Sequence, residues 1–331
     1  MNNNNMGLDF GTISEAIKNI HGNIEIAVIH RTNIRNNDRS ITNSIVAKSS
    51  AGDIKLIEKV LITNDDGLHK LSLLNKLGIA VPKVYFLDFE SKAMLIEDLG
   101  ENYITGFMFD EDNPQGNIYR NHINDVLSAV ADLHLKCWDN YDMFDKIGLP
   151  WHINNFTEHM KYVENDYLIY KKSYSGKLKS KDFEIYEQAL EFLNDKYPRI
   201  ICDRFQKGKN ITVIHGDFHP GNTFISADER NTAVKMIDFE AVRMGLATDD
   251  LAMFLALHAA PGKSAAMPFL NHYYSIISKN IDGYSFDNFI SDYKASICEN
   301  LFFPIRLINS GILDFAMAEK ALVAYETFFA E

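Results

Sequence analysis

Cysteine is scarce in this chain. Cys137, Cys202 and Cys298 are widely separated and include no C-x-x-C pair. That excludes a disulfide framework and a zinc ribbon and fits a reducing, cytoplasmic setting. Basic charge is also in short supply, with 33 Lys and Arg against 45 Asp and Glu, a net charge of −12, and no basic run. A nucleic-acid partner is therefore not expected. Long apolar runs are missing too. The longest, Leu251 to Ala260, is interrupted by His258 and is far too short to cross a bilayer, so no membrane partner is expected. The opening MNNNNMGLDF has neither the basic nor the apolar region of a secretion signal. Its asparagine run reads as a disordered tip, with Met6 an alternative start. No G-x-G-x-x-G phosphate loop occurs anywhere.

What is present is the composition of a folded protein, 46% hydrophobic, over 331 residues, a length that suits two lobes. Residues 24–29 and 42–48 read as strands, the second entered through the polar turn at 36–40. The run 53–62 is strand or helix; periodicity does not separate them. Residues 68–77 carry helical spacing, entered through Asn64, Asp65, Asp66 and Gly67. Residues 81–86 and 92–96 then read as a hairpin. After Gly100 the texture turns helical: 117–136, 156–171 and 181–194, a β-like block at 211–239, then helix again from Asp249.

The informative segment is Val213-Ile214-His215-Gly216-Asp217-Phe218-His219-Pro220-Gly221-Asn222, followed by Met236-Ile237-Asp238-Phe239-Glu240. Asp217 and Asn222 are five apart, the spacing of the Asp and Asn of a kinase catalytic loop, and a second Asp before Phe follows. Phosphoryl transfer asks little covalent help from a protein. It needs the acceptor hydroxyl held in line and the phosphate charge neutralised. A carboxylate at Asp217 can orient the hydroxyl and take its proton. Asn222 and Asp238 offer hard oxygens suited to Mg²⁺. Gly216 and Gly221 let the loop turn at both ends. His215 and His219, four apart, would make a metal pair only on a helix, and Gly216, Pro220 and Gly221 make a poor one.

These motifs resemble those of the aminoglycoside phosphotransferase, choline kinase and ecdysteroid-kinase-like superfamily, written H-G-D-x-x-x-x-N and then I-D-[FW]-[EQ]. The resemblance runs from about residue 40 to 255. It implies an α+β, bilobal protein-kinase-like fold, with a small antiparallel β lobe carrying one helix (residues 1–97, binding ATP) and a larger helical lobe (98–331). It implies ATP and Mg²⁺ as cofactors, Asp217 as catalytic residue, and Asn222 and Asp238 as metal ligands. Lys48, in Ile45-Val46-Ala47-Lys48, would meet the ATP phosphates, with Lys55 its nearest competitor. Glu97 and Leu99 would form the hinge against adenine. His215, Glu240 and Asp250 would support the site, Asp250 by bracing the loop. The chain departs from the family in two places. The helix glutamate that pairs with the phosphate lysine falls near His69 or Lys70, leaving Glu58, Asp65 or Asp66 as substitutes. The phosphate loop would have to come from residues 11–15.

The expected activity is O-phosphorylation of a small-molecule alcohol. The acidic balance, together with Glu158, Glu164, Asp166 and Glu299, allows a cationic one. Aromatic residues at helical spacing, among them Trp138, Trp151, Tyr162, Tyr167, Tyr170, Tyr174, Tyr273, Tyr274, Phe302 and Phe303, read first as core and second as an ammonium box. The competing readings are a catalytically silent ATP-binding pseudokinase and a metal-dependent hydrolase using His215, Asp217 and His219.

Overall fold

The computed structural model describes residues 7–62, 66–106, 114–148, 156–176, 179–228, 231–312 and 315–330. The asparagine-rich opening with Met6, Asn64 and Asp65 at the helix entry, and Trp151 lie outside them. The fold is mixed α+β, with an antiparallel sheet in the N-terminal region and a mostly helical remainder. The chain divides into two compact units. The first takes residues 1–104 together with 226–231 and 235–240, and the second takes the rest. Three short strands, β6 (Tyr103–Thr105), β8 (Thr223–Ser226) and β9 (Val234–Met236), span the points where the chain passes from one unit to the other.

The first unit is built on five strands in the order β1-β2-β3-β5-β4, all antiparallel: β1 (Ile26–Asn36), β2 (Ser40–Ser49), β3 (Gly52–Leu61), β4 (Val84–Asp88) and β5 (Ala93–Glu97). The ambiguous run at 53–62 is therefore strand. Alternation decides the faces: Ile41, Asn43, Ile45 and Ala47 of β2 are buried while the residues between them are less so. The β1–β2 turn is set by Asn37, whose Oδ1 accepts from the amides of Arg39 (2.9 Å) and Ser40 (2.8 Å). The β4–β5 turn uses Asp88 in the same way, accepting from Glu90 and Ser91.

One helix was not anticipated. Residues 11–15 do not form a phosphate loop; they lie in α1 (Phe10–His21). Asp9 caps it, accepting from the Thr12 amide at 3.0 Å, and Ile13, Ala16 and Ile17 sit one helical turn apart on its inner face. They join Leu8, Ile45, Leu56, Val60 and Leu95 in one apolar core. Each fully buried isoleucine there contributes on the order of 2 kcal/mol. The second helix, α2 (Gly67–Lys76), buries Leu68, Leu71 and Leu74.

The second unit is mainly helical. The stripe at 117–136 is two helices, α3 (Pro114–Asn121) and α4 (Ile123–Cys137), because the chain leaves helical geometry at His122. Val126, Leu127, Val130 and Leu133 of α4 are fully buried. Next come α5 (Tyr141–Ile147), α6 (Phe156–Tyr174), α7 (Ser180–Asp195) and α8 (Tyr197–Lys207), which ends at Gly208 in a left-handed turn. Strand β7 (Thr212–Ile214) pairs antiparallel with β10 (Arg243–Gly245). After β10 come α9 (Ala247–Leu251), a wide-turned π segment (Ala252–Ala259), α10 (Lys263–Ile277), α11 (Phe286–Asn300), α12 (Phe303–Asn309) and α13 (Ala316–Phe329). Tyr167, Tyr170, Tyr273 and Phe302 are core residues, while Tyr162 is exposed. Among the described residues no helix is long and apolar enough to cross a membrane.

Candidate active site

The catalytic-loop segment leaves β7 at His215 and is held from below by Asp250 of α9. Asp250 Oδ2 accepts from the His215 amide at 2.7 Å, and Oδ1 accepts from the Gly216 amide at 2.9 Å. The His134 ring, at the end of α4, lies 3.1 Å from Asp250 through Nε2 and 2.6 Å from the Tyr273 hydroxyl through Nδ1. Burial alone would raise the Asp250 pKa. The His134 hydrogen bond, the attraction of His134 and His215 and the Gly216 amide outweigh it and hold the carboxyl below its usual range. The Ala131-Asp132-Leu133-His134 fragment is therefore part of the loop's foundation, a role its sequence did not reveal.

Gly216 is the tightest point of the loop. Its φ is +79°, and a β-carbon there would collide with the Ala241 carbonyl and the Arg243 guanidinium. Arg243 also donates to the Gly216 carbonyl at 3.2 Å. Gly216→Ala combines a left-handed backbone with a clash against main chain. It should cost at least about 2 kcal/mol of stability, read as a lowered midpoint in urea unfolding; an unchanged midpoint would contradict the geometry.

Asp217 follows, with its side chain 36% exposed. Asn222 holds it: the Asn222 amide nitrogen donates to the Asp217 carbonyl at 2.9 Å and to Oδ2 at 3.0 Å. His219 Nε2 stands 3.7 Å from the same Oδ2, while its Nδ1 accepts from the Gly221 amide at 3.0 Å. Residues Pro220–Asn222 form a single 3₁₀ turn. His215 and His219 are thus not stacked on a helix, as a four-residue ligand pair would require. His215 is fully buried. Because the Asn222 nitrogen serves Asp217, its side-chain oxygen is the atom available to a hard cation.

Asp238 belongs to the first unit. It takes a φ of +66°, uncommon for a residue with a side chain. Its partner is Lys59 of β3, whose ammonium lies 3.3 Å from Asp238 Oδ1 and also binds Glu240 Oε1. Burial would lower the Lys59 pKa, but Asp238 and Glu240 raise it above the usual value. The Asp238 carboxylate therefore already faces a cation, and its hard oxygens fit the Mg²⁺ that the sequence implies.

Lys48 is not brought to Asp238. It is exposed near the far end of β2, opposite Val28 and Asp53, and makes no ion pair among the described residues. Lys55 is also exposed, 3.8 Å from Glu101. Two adjacent strands each place a Lys shortly after apolar residues, Ile45-Val46-Ala47-Lys48 on β2 and Leu56-Ile57-Glu58-Lys59 on β3. Counting strands, not matching strings, distinguishes them. Glu58 does not substitute for the helix glutamate. It lies on the opposite face from Lys59, fully buried, accepting from the Leu8 amide (2.6 Å), Arg31 (3.0 Å) and Asn43 (2.7 Å). Asp66 pairs with Lys70 at 2.8 Å, and His69 rests on the Phe89 ring.

At the hinge, Glu97 closes β5. Its Oε2 accepts from the Lys83 amide at 3.0 Å, and its own amide donates to the Lys83 carbonyl at 2.9 Å. Leu99 is buried, and Asp98 accepts from the Gly100 amide at 3.0 Å.

In the helical unit, Asp249 is enclosed beside Glu299. Burial first, and then Glu299, push its carboxyl up to about 8, against the pull of Arg243 and a 2.6 Å bond from Ser296. Tyr197 donates to Glu299 and stacks on Phe156 at 6.1 Å. Of the other candidate acids, Glu164 accepts from Asn194 at 3.0 Å and Glu158 is exposed. A carboxyl raised by folding is protonated in the native chain while the unfolded chain ionises. Its stabilising contribution is complete below the unfolded value and lost as pH rises towards the folded one. Asp249→Asn should therefore flatten the decline in melting temperature between about pH 5 and about pH 8; an unaltered slope would show that Asp249 titrates normally.

No curated protein matches this chain in sequence. Among solved structures, choline kinase LicA from Streptococcus pneumoniae, also solved in complex with AMP, is 17% identical with a TM-score of 0.52, covering 96% of this chain and 99% of that one. Plasmodium vivax ethanolamine kinase is 13% identical with a TM-score of 0.53, covering 91% and 82%. A microcompartment-associated aminopropanol kinase is 12% identical with a TM-score of 0.56, covering 95% and 94%. At these identities the likeness is one of fold. The sequence model of the phosphotransferase enzyme family matches residues 67–285, from α2 to the loop before α11. By that match over most of its length, the chain belongs to the phosphotransferase enzyme family.

Proposed function

We propose that this phosphotransferase moves the γ-phosphoryl group of ATP to the hydroxyl of a small alcohol, most suitably an amino alcohol. The observation that carries the reading is the clasp on Asp217. Asn222 holds its carbonyl and Oδ2, and Asp250 anchors the two residues before it. The second carboxylate oxygen is left for a hydroxyl. In the step proposed, the acceptor oxygen bonds to the γ-phosphorus. The bond from that phosphorus to the β–γ bridging oxygen breaks, ADP leaves with the electron pair, and the hydroxyl proton passes to Asp217. Asp238 and Asn222 would hold Mg²⁺, which when bound neutralises phosphate charge. Lys59, ahead of the family-matched segment, is assigned the phosphate contact in place of Lys48. The backbone of Glu97 to Leu99 is assigned the adenine edge.

The amino-alcohol preference rests on two supports. The similar structures include ones described as choline, ethanolamine and aminopropanol kinases, and one as an aminoglycoside 2'-phosphotransferase. In this chain, Glu299 lies among Tyr197, Phe156 and His159, and Arg243 of the same unit donates to the Gly216 carbonyl next to Asp217. A carboxylate beside aromatic faces suits a small ammonium group. The test is ADP release from Mg-ATP across a panel of amino alcohols, amino sugars and neutral alcohols. Turnover that requires an amino alcohol is expected. Turnover confined to neutral alcohols would reject the preference, and ADP release indifferent to any acceptor would reject the transfer.

A further inference from the structure

The phosphate lysine of a kinase-like site needs an anion that keeps it in place, and the resemblance assigns that task to a helix glutamate. Here α2 (Gly67–Lys76) contains no acidic residue at all. Its inward polar group is a lysine: Lys70, with a side chain only 12% exposed, bonds Asp66 at 2.8 Å and donates to the backbone carbonyl of Glu240 at 2.9 Å. Glu240 in turn sends its carboxylate to Lys59. The polarity of the usual arrangement is inverted. The helix supplies the cation, and the segment after Asp238 supplies the anion.

We propose that Glu240, seated by Lys70, is the positioning residue for Lys59 and takes over the task of the absent helix carboxylate. This rests on the kinase reading above. Among the described residues Lys59 has two anionic partners, Asp238 and Glu240. With a metal ion bound, Asp238 would share its charge with that ion, and Glu240 would remain the anionic partner of Lys59. A lysine side chain that is 20% exposed, without a counter-ion, would lose its fixed geometry to rotamer freedom. Lys70 reaches the main chain of Glu240, not its carboxylate, so it fixes where that side chain starts without competing for its charge.

The test is a double-mutant cycle on the full chain, reading the Kd of Mg-ATP by calorimetry and its KM by ADP release. Glu240→Gln is expected to weaken Mg-ATP about tenfold, equivalent to about 1.4 kcal/mol. In a Lys59→Met background the same change should cost less than about twofold, because a residue acting through Lys59 has nothing left to position. The Mg²⁺ concentration for half-maximal binding should stay where it is in the unmutated chain, and Glu240→Asp should recover part of the loss. Equal losses in both backgrounds, or a shifted Mg²⁺ requirement, would make Glu240 a direct ligand and overturn the proposal. If Glu240→Gln melts below the assay temperature, Lys70→Met carries the test, with a rise of about threefold in KM for ATP that vanishes in the Lys59→Met background. An additive effect there also overturns the proposal. An unmutated chain that fails to bind Mg-ATP overturns the kinase reading itself, an outcome distinct from any result of the cycle.

Discussion

Asp217→Asn is expected to lower turnover by about 10³-fold while leaving the affinity for Mg-ATP within about twofold. The substitution keeps size and shape. It also keeps an acceptor oxygen for the 3.0 Å bond from Asn222, so the loop has no reason to move. What disappears is the negative charge that orients the acceptor hydroxyl and receives its proton. Since no nucleotide contact is assigned to Asp217, binding of ATP should not register the change. Steady-state kinetics paired with calorimetry separates the two effects. A variant that turned over at the unmutated rate would remove Asp217 from the chemistry. A variant that lost both turnover and nucleotide binding would show that its role is to hold the loop together.

Asp238→Ala should behave in the opposite way, with Mg²⁺-dependent nucleotide affinity falling at least about 100-fold and turnover following it. Asp238 is the carboxylate that faces Lys59 in the first unit, and a left-handed backbone conformation directs it. Removing it also leaves Lys59 with Glu240 as its remaining anionic partner among the described residues. Calorimetric titration with and without Mg²⁺ distinguishes the causes. Loss of the metal's contribution should make the two titrations coincide. Affinity that still rose with Mg²⁺ would place the metal's ligands elsewhere.

The loop around Asp217 and Asn222 was legible as one unit because the two residues lie five apart, and a side-chain hydrogen bond joins them. A local pattern of that kind is written entirely in adjacent residues. The sheet was legible for a related reason: β2 alternates buried and less buried residues, β5 is a short apolar run, and the polar residues at 36–40 make a turn whichever strands they join. The lysine proposed for the phosphate contact was not legible. Lys48 and Lys59 both follow apolar residues on neighbouring strands, Lys59 with Glu58 between, and only the register, which puts Thr42 opposite Lys59 and Asp53 opposite Lys48, tells which end of the sheet each occupies. The partner of Lys59 was hidden for the same reason, since Glu240 lies 181 residues away. Helix α1 was missed because Gly11 suggested a phosphate loop, whereas the cap at Asp9 and the apolar spacing of Ile13, Ala16 and Ile17 decide for helix. His134 ends an Ala131-Asp132-Leu133-His134 string that resembles the superfamily's A-x-L-H helix end, but the string does not name its partner. Its value comes from reaching Asp250 across 116 residues of sequence.

The measurement that bears most directly on the account is transfer of labelled γ-phosphoryl from ATP to an amino alcohol, followed on the acceptor itself, in the unmutated chain and in Asp217→Asn. Label should appear on the acceptor hydroxyl with the unmutated chain and fall about 10³-fold with the variant. Label that went only to water, or that reached the acceptor equally with both proteins, would contradict the assignment of Asp217 and of the reaction.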